Sequence, residues 1–424
     1  MNPEARVVIV GAGFAGLKAA RTLCRQRGIH ITLIDRRNYH LFQPLLYQVA
    51  TAGLSPAEIT TPIRSVFSGN ANVQVILGNV DQVRLQEKVV VSGDRIYPYD
   101  YCLIACGAKH SYFNHPEWES FSPGLKTLEQ ATEIRRRILL AYEMAEKETD
   151  IERQRDLLTF VIVGGGPTGV EMAGAIAEIS RKTLGRDFRR IQPERARVIL
   201  VEAGPRVLAG FSEKLSRRAT RDLENMGVQV WTSMRVTAVD EKGVSLGQDR
   251  IGARTVIWAA GVKPSTLGAS LQVPLDSVGR VIVRDDLSLA QYPEVFVAGD
   301  QAYFPTADGR GLPGLAPVAM QQGQHVARMI AADLAGRPRW PFRYRDKGTM
   351  ATIGRTKAVA QIGRLEISGF VAWAMWLFIH IFYLIGFKNR VFVFLEWFWA
   401  YATFKRGARL ILDKEWRSQP QKPS

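Results

Sequence analysis

The chain has 424 residues, with 56 Lys+Arg against 40 Asp+Glu and a formal charge of +16. Its length supports two or three domains with sizeable cores, and its 46% apolar and 23% charged content excludes a disordered or fibrous chain. The excess of cations suits an anionic partner; with no zinc-finger spacing and no RNA-recognition signature, an anionic membrane surface is preferred over nucleic acid.

In chain order, Val7–Val10 reads as a buried strand that breaks into the G-x-G-x-x-G run Gly11–Gly16, with Phe14–Arg25 as the helix. The first glycine permits a tight turn, the second lets backbone approach a pyrophosphate, and the third lets the helix pack on the sheet. The phosphates then meet free N–H groups at a helix N-terminus. Ile29–Asp35 is the next strand, and its closing acid is placed to accept from both ribose hydroxyls. His40–Pro56 (HLFQPLLYQVATAGLSP) is apolar without a helical or alternating period, which suits a cofactor-covering segment better than a solvent loop. Short β segments are expected around Val73–Val83, Val89–Val91 and Ile96–Tyr97, with Gly93-Asp94 as a turn. The first apolar run ends at Gly11, so no signal or transit segment is expected.

Cys24, Cys102 and Cys106 include no C-x-x-C pair, which argues against a dithiol relay or a disulfide framework and fits a reducing compartment. Cys102 and Cys106 fall on one expected strand, with structural burial as their role. Thr127-x-x-Gln130 is a capping box that opens a long helix with Ile134, Ile138 and Tyr142 at helical spacing.

The nucleotide signature then recurs. Phe160–Gly169 (FVIVGGGPTG) repeats Val7–Gly16 (VVIVGAGFAG), and Ile257–Val262 (IWAAGV) echoes Leu103–Ala108 (LIACGA) at nearly the same offset. One such run is weak evidence; two copies with matching echoes point to two bound dinucleotides, most simply a flavin and a nicotinamide facing each other. Val198–Glu202 again closes with an acid, which accepts from a free 2′-hydroxyl and repels a 2′-phosphate. NADH is therefore expected over NADPH, with Arg206 near enough in sequence to soften the preference. Glu171 is placed in the first turn of the second fingerprint helix, where a dipole-stabilising role competes with one beside the nicotinamide and flavin. Val295–Ala302 (VFVAGDQA) gives a strand, a tight Gly299 turn and Asp300, a carboxylate suited to a ribityl hydroxyl. The loop GRGLPGLAP precedes a helix at Val318–Ala332, and no metal, haem or iron–sulfur spacing appears.

The tail changes character. Phe370–Ile385 carries a single His and no charge, Val391–Phe404 contains Glu396, and a basic run with Lys405, Arg406 and Arg409 follows. A spanning helix needs about twenty apolar residues, so a helical pair lying in the headgroup layer is expected. A spanning helix near 370–386 and a buried hairpin or dimer contact are the alternatives. The expected class is α/β: two Rossmann-like dinucleotide-binding domains of glutathione-reductase type, the second inserted in the first, plus a C-terminal amphipathic helical membrane-binding region. Residues 1–115 and 280–345 form the FAD-binding domain, 116–279 the inserted NADH-binding domain, and 346–424 the membrane-associated region.

GAGFAG, HLFQPLLYQVATAGLSP, GGGPTGVE, AGD followed by LAPVAMQQG, KGTMATIGR and the aromatic C-terminus together resemble the type II NADH dehydrogenases, non-pumping NADH:quinone oxidoreductases. The likeness runs over nearly the whole chain. It implies that Gly11, Gly13, Phe14, Ala15 and Gly16, with Asp35 and Arg36, hold the adenine half of non-covalent FAD. Val80 would touch adenine through its backbone, and Asp300 and Ala319 would reach the flavin half. Gly164, Gly166, Gly169 and Glu202 would hold NADH, the hydride donor, with Gly261 beside it. Glu171 matches the family's catalytic glutamate near the nicotinamide and quinone. The family's Ala-Gln-x-Ala-x-Gln quinone element falls on Ala316 to Gln321, with Pro317 in place of the first glutamine; Ala316 and Gln321 are the quinone contacts it implies. Cys106 stands where relatives often have a threonine. A membrane quinone, an anionic lipid surface and a homodimeric partner follow from the likeness, as does a peripheral position on the cytoplasmic face of a bacterial inner membrane. Two rivals stand beside this reading. A sulfide:quinone oxidoreductase needs a redox-active cysteine pair on the acceptor side of the flavin, whereas no cysteine follows Cys106. An NADH-binding redox sensor is the alternative from another class.

Overall fold

The computed structural model describes residues 4–185, 187–306, 309–403 and 407–411. The chain opens with β1 (Ala5–Val10), α1 (Phe14–Leu23) and β2 (Ile29–Asp35), followed by a five-residue helix, α2 (Leu46–Ala50). Next come β3 (Val73–Leu77), β4 (Tyr101–Ile104) and the long helix α3 (Leu128–Lys147). The second fingerprint comprises β5 (Thr159–Val163), α4 (Pro167–Glu178) and β6 (Arg197–Val201). α5 (Glu213–Asn225), β7 (Val228–Trp231), β8 (Thr255–Trp258), β9 (Val295–Val297) and α6 (Ala316–Leu334) follow. The C-terminal part holds β10 (Thr349–Gly354), β11 (Lys357–Ile362), β12 (Leu365–Gly369), α7 (Phe370–Tyr383) and α8 (Phe387–Thr403).

These elements gather into two compact units: Met1–Leu41, Thr60–Ser111 and Gly261–Lys347 form one, and Phe42–Ile59, Tyr112–Ala260 and Gly348–Ser424 the other. In the first, the sheet order is β9-β4-β1-β2-β3, with all pairs parallel. Both faces of this sheet are covered, which is why Val7, Val8, Ile9 and Val10 form an unbroken buried run and not an alternating one. α6 crosses α1 closely enough that a Cβ on Gly323 would lie 2.1 Å from the Ala15 carbonyl oxygen. Pro317 occupies the opening turn of α6, where a missing N–H costs no helix bond. Cys102 is on β4, whereas Cys106 lies beyond its end in the connecting turn, so the two do not share a strand.

Arg339 ties the late part of this unit together. Its guanidinium donates to Asp286 at 3.0 Å and to Pro293 O at 2.7 Å, bonds Asp333, and lies 4.8 Å from the Phe296 ring centroid.

In the second unit, β7-β6-β5-β8 form another all-parallel sheet. The Thr127 side chain accepts from the Gln130 N–H at 3.2 Å, as the capping box requires. Its reciprocal bond is displaced by one residue: Gln130 accepts from the Lys126 N–H at 3.0 Å instead of from Thr127. β10, β11 and β12 form an antiparallel sheet, and β10 packs on α4. α7 has 14 residues, about 21 Å of helix against about 30 Å of hydrocarbon. Among the described residues no helix is long and apolar enough to cross a membrane, which sets aside the spanning helix near 370–386. Lys405 and Arg406 lie outside the described residues.

The aromatic tail has two sides. Phe378 and Phe382 are each 69% exposed, and Phe398 and Trp399 are also exposed. Trp376 is buried instead, stacked with His380 at 4.2 Å and packed with Trp397 at 5.3 Å. Part of the tryptophan density expected in the headgroup layer is therefore core. Replacing Arg339 by methionine should leave Asp286 and Asp333 unpaired and lower stability by about 3 kcal/mol, read as a lower guanidinium midpoint at unchanged slope.

Candidate functional site

Each parallel sheet has a glycine-lined crevice where its strand order reverses, outside the carboxyl end of its first strand. In the first, Gly11 adopts φ +100°, and a Cβ there would lie 2.4 Å from Ala105 O. A Cβ on Gly16 would lie 1.8 Å from Gly11 O. Gly13 differs: nothing lies within 4 Å of its would-be Cβ, and it caps α1 with no side-chain bond to the helix's first N–H groups. Two glycines are thus demanded by the protein's own backbone, whereas the middle one keeps open the space an approaching phosphate needs.

The second crevice repeats this arrangement. Gly164 has φ +109° and its Cβ would meet Ala260 N at 2.8 Å, Gly169 would meet Gly164 O at 1.8 Å, and Gly166 again faces open space. Gly166 caps α4, also without a side-chain bond. Gly107 and Gly261, the glycines of the two downstream echoes, both take φ +65°.

The strand-closing acids play one role twice. Asp35 accepts from the Ala12 N–H at 2.6 Å through one oxygen and from the Arg37 N–H at 2.8 Å through the other. Glu202 accepts from Gly165 at 2.5 Å and from Gly204 at 2.6 Å in the same way. Each carboxylate pins the second residue of its fingerprint turn and keeps lone pairs for ribose hydroxyls. Arg206 is held by the backbone: its guanidinium donates to Phe211 O at 2.8 Å and Ala209 O at 2.9 Å.

The other residues implied for FAD lie in the first unit. Ala15 and Ala319 place their Cβ atoms 3.7 and 3.6 Å from the would-be Cβ of Gly299, which precedes Asp300. A cavity of about 520 Å³ is lined there by Gly299, Asp300, Lys263, Arg280, Val318 and Gln322. Val80 lies just past Gly78, whose N–H donates to Asp35 O at 2.9 Å, and Arg36 is exposed. Phe14 packs edge-on against His40 at 5.2 Å.

Three residues here were not singled out by pattern. His40 is buried, donates from Nδ1 to Ala12 O at 2.9 Å, and has no partner for Nε2 among the described residues. Burial lowers its pKa, so the ring is neutral. Ala12 is therefore gripped at its N–H by Asp35 and at its carbonyl by His40. Gln301 accepts from the Cys106 N–H at 3.0 Å, and Gln322 accepts from the Gly299 N–H at 2.7 Å. For Gln322 the cue was its place beside Gln321 in the first turns of α6. Gln321 exchanges two 3.0 Å bonds with the backbone of Arg345. Burial pushes the Cys106 thiol up to about 12, so it is no nucleophile at neutral pH, and all three cysteines are free.

Glu171, in the second unit, stands in the second turn of α4, not the first, so the helix dipole is a weak account of it. Burial, opposed by a hydrogen bond from the Thr352 backbone, raises its pKa to about 8. Thr352 also lines a cavity of about 850 Å³ in this unit, walled by Tyr47, Ala175, Glu178, Trp376 and Trp397. Trp397 donates its indole N–H to Gln48 at 2.6 Å, and Tyr47 lies 6.4 Å from Trp376. Gly261, Ala316 and Gln321 belong to the first unit, and Gly164, Glu202 and Glu171 to the second.

Comparison with known proteins fits this pair of cradles. The pyridine nucleotide-disulphide oxidoreductase family matches residues 5–323, and the NDH2 C-terminal domain matches residues 347–404. The chain is 46% identical to the type II NADH:quinone oxidoreductase Ndh of Mycobacterium tuberculosis, covering 97% of this chain and 91% of that protein. The chain belongs to the type II NADH:quinone oxidoreductase family. Its fold is that of NDH2 from Plasmodium falciparum, solved in complex with NADH (TM-score 0.87, 20% identity, 97% of this chain and 100% of that one). The sulfide:quinone oxidoreductase of Aquifex aeolicus shares the type II enzyme's scaffold at TM-score 0.74 and 19% identity, over 91% of each chain. Replacing Asp35 by alanine should free the Ala12 turn and lower bound flavin at least about ten-fold, measured as flavin absorbance per protein after purification.

Proposed function

We infer that this chain is a membrane-associated flavoenzyme that oxidises NADH and reduces a quinone. One NADH, one proton and one quinone become NAD⁺ and quinol, with two electrons passed on. The observation that carries the reading is the duplicated cradle: two turns, each pinned by its own strand-end carboxylate, in a chain of this family. FAD, when bound, supplies the two-electron chemistry that links a hydride donor to a quinone.

The residues present fit both nucleotides. In the first cradle Gly13 and the free N–H groups of α1 receive a pyrophosphate, Asp35 takes a ribose, and His40 stiffens the Ala12 peptide. Asp300 and Ala319 stand toward the flavin half. In the second, Gly166, the N-terminus of α4 and Glu202 do the same for NADH.

The aromatic cavity beside Thr352, in the second unit, is our site for the quinone ring. Glu171 holds a proton through neutral pH and releases it above about 8, which suits a group that hands a proton to a reduced quinone. The exposed Phe378, Phe382 and Phe398 enter the headgroup layer, and the net charge of +16 favours an anionic surface on the cytoplasmic side, where NADH is available.

Anaerobic stopped-flow absorbance tests the whole reading. NADH should bleach the oxidised-flavin band and a short-chain quinone restore it; a protein that holds no flavin, or whose flavin NADH leaves oxidised, overturns it. Quinone-driven recovery should fall as pH rises through about 8, and E171Q should flatten that limb. A double F378D/F382D variant should lose at least about ten-fold in binding to anionic vesicles while NADH still bleaches its flavin, read by co-sedimentation.

A further inference from the structure

We propose that Gly174 and Glu178 are positioning residues for the quinone half of the reaction: with Glu171 they form a stripe along α4 that fixes the end of β10 and thereby the wall of the adjoining cavity. This rests on the quinone reading above.

Residues 171, 174 and 178 stand at i, i+3 and i+7, on one face of the helix. Each meets a different backbone group of the same strand end. Glu171 accepts from the Thr352 backbone. A Cβ on Gly174 would lie 1.7 Å from Ile353 O, so the strand runs directly over the helix backbone and only glycine admits it. Glu178 accepts from the Arg355 N–H. Thr352, Gly354 and Arg355 then line the cavity together with Ala175 and Glu178. The turn they enter is strained, because the β-branched Thr356 takes φ +62°. A strained turn keeps one geometry only where neighbours impose it, and Glu178 bonds the residue immediately before it.

No charged side chain acts on Glu171; burial and the Thr352 backbone are the two causes of its shift. Of the elements packed on α4, the turn at residues 179–183 carries Arg181 and Lys182 beyond the C-terminal end of the helix, α2 offers Tyr47 alone as a titratable residue, and β5, β7 and β10 offer none. β6 carries Arg197 at its far end. On α5, Arg218 pairs with Asp222, which also meets Lys357 of β11. The proton on Glu171 is therefore governed by where β10 lies.

Anaerobic stopped-flow of the full-length, FAD-loaded enzyme with a short-chain quinone separates the half-reactions. A methyl group at residue 174 must displace β10 by about 1.5 Å to restore a normal carbon–oxygen contact. G174A should then be reduced by NADH within about two-fold of the unmodified enzyme, yet reoxidised by quinone at least about ten-fold more slowly. Its alkaline limb should move, to lower pH where the displaced strand lets water reach Glu171 and to higher pH where only the Thr352 donation is lost; E171Q/G174A should show no limb. E178A should slow reoxidation, while E178Q, which keeps a carbonyl acceptor for the Arg355 N–H, should recover most of it. Hydrogen exchange of the Arg355 amide should quicken in E178A and not in E178Q.

Equal losses in both half-reactions, or an unmoved pH limb in G174A, overturn the proposal. So does an E178Q enzyme as slow as E178A, since charge and not the Arg355 contact would then matter. If G174A does not fold, the E178A and E178Q pair decides alone. If quinone fails to reoxidise even the unmodified enzyme, the functional reading fails instead.

Discussion

A carboxylate accepting from a backbone N–H in the middle of a glycine turn is the contact on which both nucleotide cradles depend. Without it the turn, which carries a glycine at positive φ and a second one against its own carbonyl, loses the side chain that holds its N–H; in the first cradle only the His40 contact to the Ala12 carbonyl would stay. Asp35 and Glu202 supply that contact at 2.6 and 2.5 Å. In the reading proposed above the same carboxylates would meet the ribose hydroxyls, so the group that anchors each turn would also select its nucleotide. That economy explains why an acid of either length serves: the strand end is placed so that the carboxylate reaches the turn.

The second compact unit combines three kinds of work. It carries the NADH cradle, the aromatic cavity and the exposed apolar helices of the tail, and it draws in residues 42–59 from far upstream. α4 runs through this unit: Gly166 caps its N-terminus, its middle bears Glu171, and its last turn reaches the cavity through Glu178. A single helix of 12 residues therefore runs from the second fingerprint turn to the wall of the cavity. Bonding along its length, more than any one residue, keeps those two ends in register.

Much of the architecture was legible because strong local rules agreed. The buried apolar runs, the duplicated glycines, the acids closing the second strands and the Thr127 cap are all short-range signals with one stable outcome. Within the site, Gly11, Asp35, Gly164 and Glu202 were readable for the same reason. His40, Gln301 and Gln322 were not, because their work is done on backbone groups far away in sequence, Ala12 O, Cys106 N–H and Gly299 N–H. The two-sided tail was equally hidden. Trp376 and Phe378 are two residues apart in the same apolar run, yet one is buried against Trp397 and the other points out.

By itself, the sequence determined that two Rossmann-like sheets form and where each turns toward a phosphate, since glycine at positive φ and an acid at a strand end are local demands. Only the tertiary structure decided which groups are spent and which stay available. Arg206 is consumed by two carbonyls, Gln321 by the Arg345 backbone, and Glu171 is kept protonated beside Thr352, some 180 residues away in sequence. Burial and hydrogen-bond occupancy depend on what the rest of the chain folds against a residue, and no window of neighbouring letters contains that.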